Sequence, residues 1–189
     1  MIPDLQRTAV VGTSGVGKTV FAGRLAAITR FPHVELDALH WGPGWRLPTE
    51  SDFRARVATA LAGDRWIADG NYSAVRDLVW GNATAILWLD YSLPLAFWRV
   101  LRRSVWRSLT HEELFAGNRE SLRLTFLSRE SLLWVVLTRH GRRRRSYRAL
   151  FEGGCCGDAA VVVFQRPREA EAFLRRLAEQ HGGAGPVRA

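Results

Sequence analysis

The chain has 189 residues, 47% of them hydrophobic, with eight tryptophans; this excludes general disorder and suffices for one α/β domain with an insertion. Its longest apolar run, Leu132 to Leu137, is too short to span a bilayer, and the approach to the first strand leaves no room for a signal peptide. The formal net charge of +9, from 27 Lys+Arg against 18 Asp+Glu, calls for an anionic partner or a solvated basic surface.

Thr8-Ala9-Val10-Val11 predicts a buried strand, and Val20 to Ile28 predicts a helix. Between them, Gly12-Thr13-Ser14-Gly15-Val16-Gly17-Lys18-Thr19 fits the phosphate-loop pattern G-x-x-x-x-G-K-[ST] at every fixed position, in the strand–loop–helix context it requires. Gly12, Gly15 and Gly17 permit backbone angles and approaches that a Cβ would obstruct. The backbone N–H groups of the loop, Ser14 and Val16 included, and of Lys18, Thr19 and Val20 behind it form an anion nest at a helix N-terminus. Lys18 is the one lysine of the chain, and arginine is used everywhere else. A slim ammonium can bridge β- and γ-phosphate oxygens where a planar guanidinium would not fit. Thr19 is placed to offer its hydroxyl to a Mg²⁺ ion bridging the same phosphates. ATP and Mg²⁺ are therefore the expected cofactors.

His33-Val34-Glu35-Leu36 predicts a second short strand ending at Asp37, followed by the turn-rich segment Trp41-Gly42-Pro43-Gly44-Trp45. Thr49 can cap a helix whose apolar stripe is Phe53, Val57, Ala60 and Leu61. Trp66-Ile67-Ala68 is a third strand running into Asp69-Gly70-Asn71-Tyr72, a short helix starts at Ser73, and Ala85 to Leu89 is a fourth strand. The unbroken hydrophobicity of that fourth strand predicts burial on both faces. Leu93 to Leu109 predicts a helix with an apolar stripe at positions 93, 97, 100, 101 and 105 and arginines opposite. His111 to His140 reads as two or more helical pieces interrupted around Gly117-Asn118. Ala160 to Phe164 is a fifth strand, an amphipathic helix runs through Leu177, and residues 182–189 are expected to form a mobile tail. Alternating β and α implies a doubly wound parallel sheet with one helical insertion, so residues 1–181 form one domain.

Ligands of such sheets bind beyond the carboxyl ends of the strands, which singles out Lys18, Asp37 and Asp69. Asp69 is the candidate second Mg²⁺ partner beside Thr19, or else an N-cap for the segment from Ser73. Asp37 is the candidate proton or hydrogen-bond acceptor for an acceptor hydroxyl, or else a turn residue, and Glu35 lies two residues before it. Asp90 ends the fourth strand ahead of Ser92-Leu93-Pro94 and reads as structural. His40, Trp41 and Trp45 either wall an acceptor pocket or pack their loop onto the core. Cys155 and Cys156 are adjacent, which suits neither a zinc knuckle nor a redox pair and points to reduced thiols in the cytosol. The basic charge is concentrated at Arg99, Arg102, Arg103, Arg107 and Arg139 to Arg148. An anionic ligand, a nucleic-acid surface and a solvated helix face each account for it.

Taken together, Gly12 to Thr19, Glu35-Leu36-Asp37-Ala38-Leu39-His40-Trp41, Asp69-Gly70-Asn71-Tyr72 and Gly117-Asn118-Arg119-Glu120 resemble the adenylate-kinase-like branch of P-loop kinases. The likeness is to bacterial proteins labelled adenylate kinase-related or DNA topology modulation proteins, and it spans residues 8 to about 175. It implies five parallel strands flanked by helices, with a helical lid over about residues 99–148 closing on the phosphates. Arginines delivered by such closure neutralise charge on the transferred phosphoryl group, which makes Arg103 and Arg119 catalytic candidates. Asp37, His40, Trp41, Asn71 and Arg76 are the candidate acceptor contacts. Adenylate kinases carry Asp-Gly-Phe-Pro-Arg where this chain has Asp69-Gly70-Asn71-Tyr72, with an arginine only at Arg76, so AMP is a poor fit as acceptor. The expected activity is transfer of the γ-phosphate of ATP to a nucleotide-like or polyhydroxylated small molecule, without a membrane. A DNA-associated nucleotide-binding protein is the alternative. A regulatory GTPase is disfavoured, because guanine recognition in that class resembles Asn-Lys-x-Asp and no second lysine exists.

Overall fold

Five short strands make one parallel sheet in the order β2-β3-β1-β4-β5, with helices on both faces. The computed structural model describes residues 2–42, 46–110 and 132–182. Along the chain these are β1 (Arg7–Gly12), α1 (Lys18–Thr29), β2 (His33–Glu35), α2 (Leu36–His40), α3 (Glu50–Ala60), β3 (Trp66–Asp69), a 3₁₀ turn (Ser73–Val75) leading into α4 (Arg76–Trp80), β4 (Ala85–Leu89), α5 (Leu93–Thr110), α6 (Leu132–Glu152), β5 (Ala160–Phe164) and α7 (Pro167–Gln180). Trp45, the Gly117-Asn118-Arg119-Glu120 segment and the tail from residue 183 lie outside the described residues.

Alternation along the central strands divides the core in two. Val10, Ile67, Leu87 and Leu89 face α1 and α7, meeting Phe21, Leu25, Phe173, Leu174 and Leu177. Ala9, Val11, Trp66, Ala68, Ile86 and Trp88 face the other way, onto Phe53 and Val57 of α3, Val79 and Trp80 of α4 and Tyr147 of α6. The small residues at positions 9 and 68 leave room for the indoles of Trp66 and Trp88. β4 is buried along its whole length, as its unbroken apolar run predicts, because β1 and β5 flank it and helices cover both faces. β5 has a similar composition but is a sheet edge, so Val161 and Val163 are exposed.

Local chemistry sets the helix ends. Asp52 N–H donates to Thr49 Oγ1 at 3.1 Å, the N-cap anticipated for α3. At α7, Pro167 occupies the first turn and Glu169 Oε2 accepts from the backbone N–H of Gln165 and Arg166. In α5 the buried stripe differs from the sequence expectation. Ala96, Val100 and Ser104 are buried while Val105 is exposed, because α5 lies against the phosphate loop, where small side chains are needed.

Asp90, just beyond β4, is structural as expected. Its buried carboxylate takes a bidentate pair from Arg144 of α6, Nε at 2.6 Å and Nη2 at 2.8 Å, with Arg148 Nη2 at 3.7 Å. The next residue, Tyr91, offers its carbonyl to His140 Nε2 at 3.1 Å, so α6 is fastened to the end of β4 at two points. Arg144→Ala leaves a buried carboxylate with its weaker partner only. A loss of about 3 kcal/mol is expected in urea unfolding, and Asp90→Asn/Arg144→Ala together should lose less than the two single substitutions summed.

Candidate functional site

The loop between β1 and α1 is confined on both sides, and its glycines are required by neighbours. At Gly12 a Cβ would stand 2.7 Å from the Leu89 carbonyl oxygen, and at Gly15 (φ +84°) it would stand 2.3 Å from Val100 Cγ2. α1 starts at Lys18 behind Gly17, which is left-handed and supplies no side-chain cap. The first N–H groups of α1 thus have no side-chain acceptor, the condition in which a helix N-terminus takes an anion. Thr13 Oγ1 is buried in the same loop and has no hydrogen-bond partner among the described residues. An uncapped helix start and an orphaned hydroxyl, in a loop packed tightly against β4 and α5, fit a polyphosphate.

Lys18 Nζ donates to the Thr13 carbonyl at 3.2 Å, which aims the ammonium into the cradle. Burial lowers its pKa to about 8, against the opposing charges of Asp37 and Asp69. Thr19 Oγ1 donates to Asp69 Oδ2 at 2.7 Å, so the hydroxyl and carboxylate expected at the metal lie side by side. Two such oxygens, completed by phosphate and water oxygens, fit a hard divalent cation. Asp69 is therefore not the cap of the following segment: it sits in β3, and the 3₁₀ turn is preceded by Tyr72. Its other oxygen, Oδ1, lies 2.9 Å from His33 Nε2, and this bond raises the imidazole pKa. Burial, with the Asp69 charge second, likewise raises Glu35.

Asp37 is in the first turn of α2 rather than in a loop, and Tyr72 OH donates to its Oδ1 at 2.6 Å. That leaves Oδ2 of Asp37 outside the bond. His40 packs among Tyr72, Phe53 and Trp41, with ring centroids 4.4, 4.8 and 5.1 Å away and the last two contacts edge-on, and burial lowers its pKa. Asn71 joins three elements: its Nδ2 donates to the Gly12 carbonyl at 2.5 Å, and its Oδ1 accepts from Tyr147 OH at 2.6 Å. Arg76 lies over the Trp80 ring at 5.1 Å.

On the far side of the loop a cavity of about 300 Å³ is lined by Gly15, Val20, Tyr91, Arg99, Arg103 and Pro167, among others. Arg99 lies over the Tyr91 ring at 5.4 Å, and its Nη1 donates to the Val16 carbonyl at 2.6 Å. Arg99 of α5 is thus bonded directly to the loop. Arg103 is exposed on that cavity's wall, and its charge reaches Lys18. Sequence reasoning gave no role to His33, Tyr91, Tyr147 or Pro167. His33 alone left a trace, since strand alternation puts it on the face of Glu35, the register partner of Asp69.

No protein-family model matches the chain, and no curated protein matches it by sequence. Solved structures do. A shikimate kinase from Acinetobacter baumannii in complex with shikimate is 15% identical, with 94% of this chain and 93% of that one covered and a TM-score of 0.53. A shikimate kinase from Bacteroides thetaiotaomicron is 14% identical, with coverages of 92% and 97% and a TM-score of 0.52. A gluconokinase from Sinorhizobium meliloti 1021 is 22% identical, with coverages of 95% and 97% and a TM-score of 0.49. The likeness to the two shikimate kinases shows that the chain has the P-loop kinase fold.

The lowered pKa of Lys18 has a signature in binding. Phosphate oxygens raise the pKa of the ammonium they touch, so above about pH 8 the free protein must take up a proton to bind a nucleotide. Affinity for Mg²⁺·ATP should be level below that pH and fall by up to about tenfold per pH unit above it. Calorimetry at pH 9 in buffers of different ionisation enthalpy should register the proton uptake, and Lys18→Met should remove it.

Proposed function

We propose that the chain is an ATP-dependent phosphotransferase that moves the γ-phosphate to a hydroxyl of a small molecule, with Mg²⁺ as its metal. The observation that supports this best is the convergence on one cradle of Lys18, the Thr19–Asp69 pair and the Asp37–Tyr72 pair, all from the carboxyl ends of β1, β2 and β3 or the segments after them. The loop and the start of α1 hold the phosphates, Thr19 and Asp69 hold the metal, and the metal when bound neutralises charge on the β- and γ-phosphates.

The cavity beyond Gly15 takes the base of the nucleotide. Its apolar wall comes from Val20, Tyr91 and Pro167, and the guanidinium of Arg99 offers a flat cationic surface. The acceptor enters from the opposite side, beside Asp37, His40 and Asn71. Its hydroxyl oxygen bonds to the γ-phosphorus while the bond from that phosphorus to the β–γ bridging oxygen breaks, and ADP leaves with the electron pair. The hydroxyl proton passes to Asp37 Oδ2, because Tyr72 already donates to Oδ1. Tyr72 therefore fixes which carboxylate oxygen is basic.

The finer placement near adenylate kinase-related proteins rests on the four sequence marks, and a polyhydroxylated acceptor agrees with the small molecules named for the solved neighbours. Several arginines are occupied by partners: Arg24 with Glu171, Arg54 with Asp77 and Arg144 with Asp90. This supports a small-molecule kinase over a continuous nucleic-acid surface.

ADP release against a panel of nucleosides, sugars, polyols and their acids tests the reading. Lys18→Ala should lower turnover by about a hundredfold or more without shifting thermal unfolding appreciably, since it removes charge stabilisation and little packing. Asp37→Asn should reduce kcat by about 10²–10⁴-fold and leave nucleotide affinity nearly intact. Undiminished turnover in Lys18→Ala would sink the proposal.

A further inference from the structure

Beyond Asn71, away from the base cavity, lies a second cavity of about 370 Å³ lined by Asn71, Ser73, Arg76, Arg139, Arg142, Arg143, Ser146 and Tyr147. The volume falls within the range of small-molecule sites, about 300–1,000 Å³. Its composition is unusual: four guanidiniums, three hydroxyl side chains and no carboxylate line it. Positions 139, 142, 143 and 146 are spaced i, i+3, i+4 and i+7, so they form one stripe of α6, and Arg76 of α4 is the fourth cation. Among the described residues, none of these four arginines forms a salt bridge. Elsewhere the same run is neutralised, for Arg144 turns to the buried Asp90.

Four uncompensated cations around one concavity repel each other, and an oxyanion with two or more oxygens relieves that repulsion through bidentate pairs. The cavity adjoins the reacting centre. Asn71 and Tyr147 of its wall are hydrogen-bonded to each other, and Asn71 also bonds to Gly12 of the phosphate loop. The charge of Arg143 reaches both Lys18 and Tyr72.

We propose that this cavity is the acceptor's anchoring subsite, and that the acceptor is a hydroxylated molecule carrying a carboxylate or phosphate monoester that the guanidiniums of Arg76, Arg139, Arg142 and Arg143 bind. This deepens the kinase reading and rests on it for the word acceptor. The anion is the handle and not the nucleophile. The carboxylate of Asp37 stands at the transfer point and would repel an anionic nucleophile, whereas it attracts a hydroxyl proton. A neutral polyol of the same size would leave the guanidiniums unpaired and lose most of its affinity.

The test is calorimetric titration of the full chain, with the phosphate cradle filled by Mg²⁺ and a non-hydrolysable ATP analogue. The probes are D-glucose, D-glucuronate and D-glucose 6-phosphate, which share a ring and differ in the handle. At least one anion should bind ten or more times tighter than glucose, and which one does so tells carboxylate from phosphate. Arg139→Ala/Arg143→Ala should remove that preference, lowering the anion's affinity at least tenfold while the analogue's affinity stays within about twofold of wild type. Arg76→Gln, on a different helix, should act in the same direction and serves if the double variant fails to fold. Equal binding of all three probes, or an anion preference untouched by both variants, would overturn the proposal. If the analogue itself fails to bind wild type, the kinase reading is struck instead. The anion titrations repeated in Lys18→Ala without nucleotide then still decide the cavity on its own terms.

Discussion

Everything at the site hangs on one side-chain amide. Asn71 gives its NH₂ to the Gly12 carbonyl and takes the Tyr147 hydroxyl on its oxygen, so a single residue locks the phosphate loop, the end of β3 and α6 together. Each of its two bonds crosses between elements distant in sequence, which local propensity alone could not arrange. Because the amide is used at both ends, its flip state is fixed by its neighbours. The loop that holds phosphate and the helix that carries the arginine stripe therefore share one frame of reference. In the proposed reaction, that frame would aim the acceptor hydroxyl at the γ-phosphorus.

The two sides of the cradle differ in kind. Toward α7 the surroundings are apolar and flat, made by Val20, Tyr91 and Pro167 with Arg99 laid over the tyrosine ring. Toward α6 they are cationic and hydroxylated. Lys18 lies between them at a lowered pKa, its ammonium held charged at neutral pH by the carboxylates of Asp37 and Asp69. The cradle thus has an apolar end and a cationic end.

Much of the fold was legible because composition and period agreed. β4 and β5 were read with the observed ends, since apolar runs bounded by turn residues leave little choice. Their different burial was not legible, since strand order is a tertiary property and β5 alone of the two became an edge. The α5 stripe was misread at Val105 for a related reason: the decisive contact is the approach of Ala96 and Val100 to Gly15, and small residues carry little hydrophobic signal. At the site, Lys18 and Thr19 were singled out by a loop motif and Asp37 and Asp69 by their places at strand ends, and the structure brings them near one another. His33 and Tyr147 were missed, because a hydrogen bond to a distant residue leaves no spacing to read.

The run from Arg142 to Arg145 is four copies of one side chain, and by itself such a run has no phase. A helix could present any of its members to any neighbour with almost the same energy. The buried carboxylate of Asp90 breaks that degeneracy by accepting Arg144 alone as its bidentate partner. Once Arg144 is chosen, the 100° step of the helix puts Arg142 about 160° and Arg143 about 100° around the axis from it; both line the cavity, and Arg145 is exposed. Asp90 thus works as an index mark: a residue outside the cavity decides which of several interchangeable charges line it.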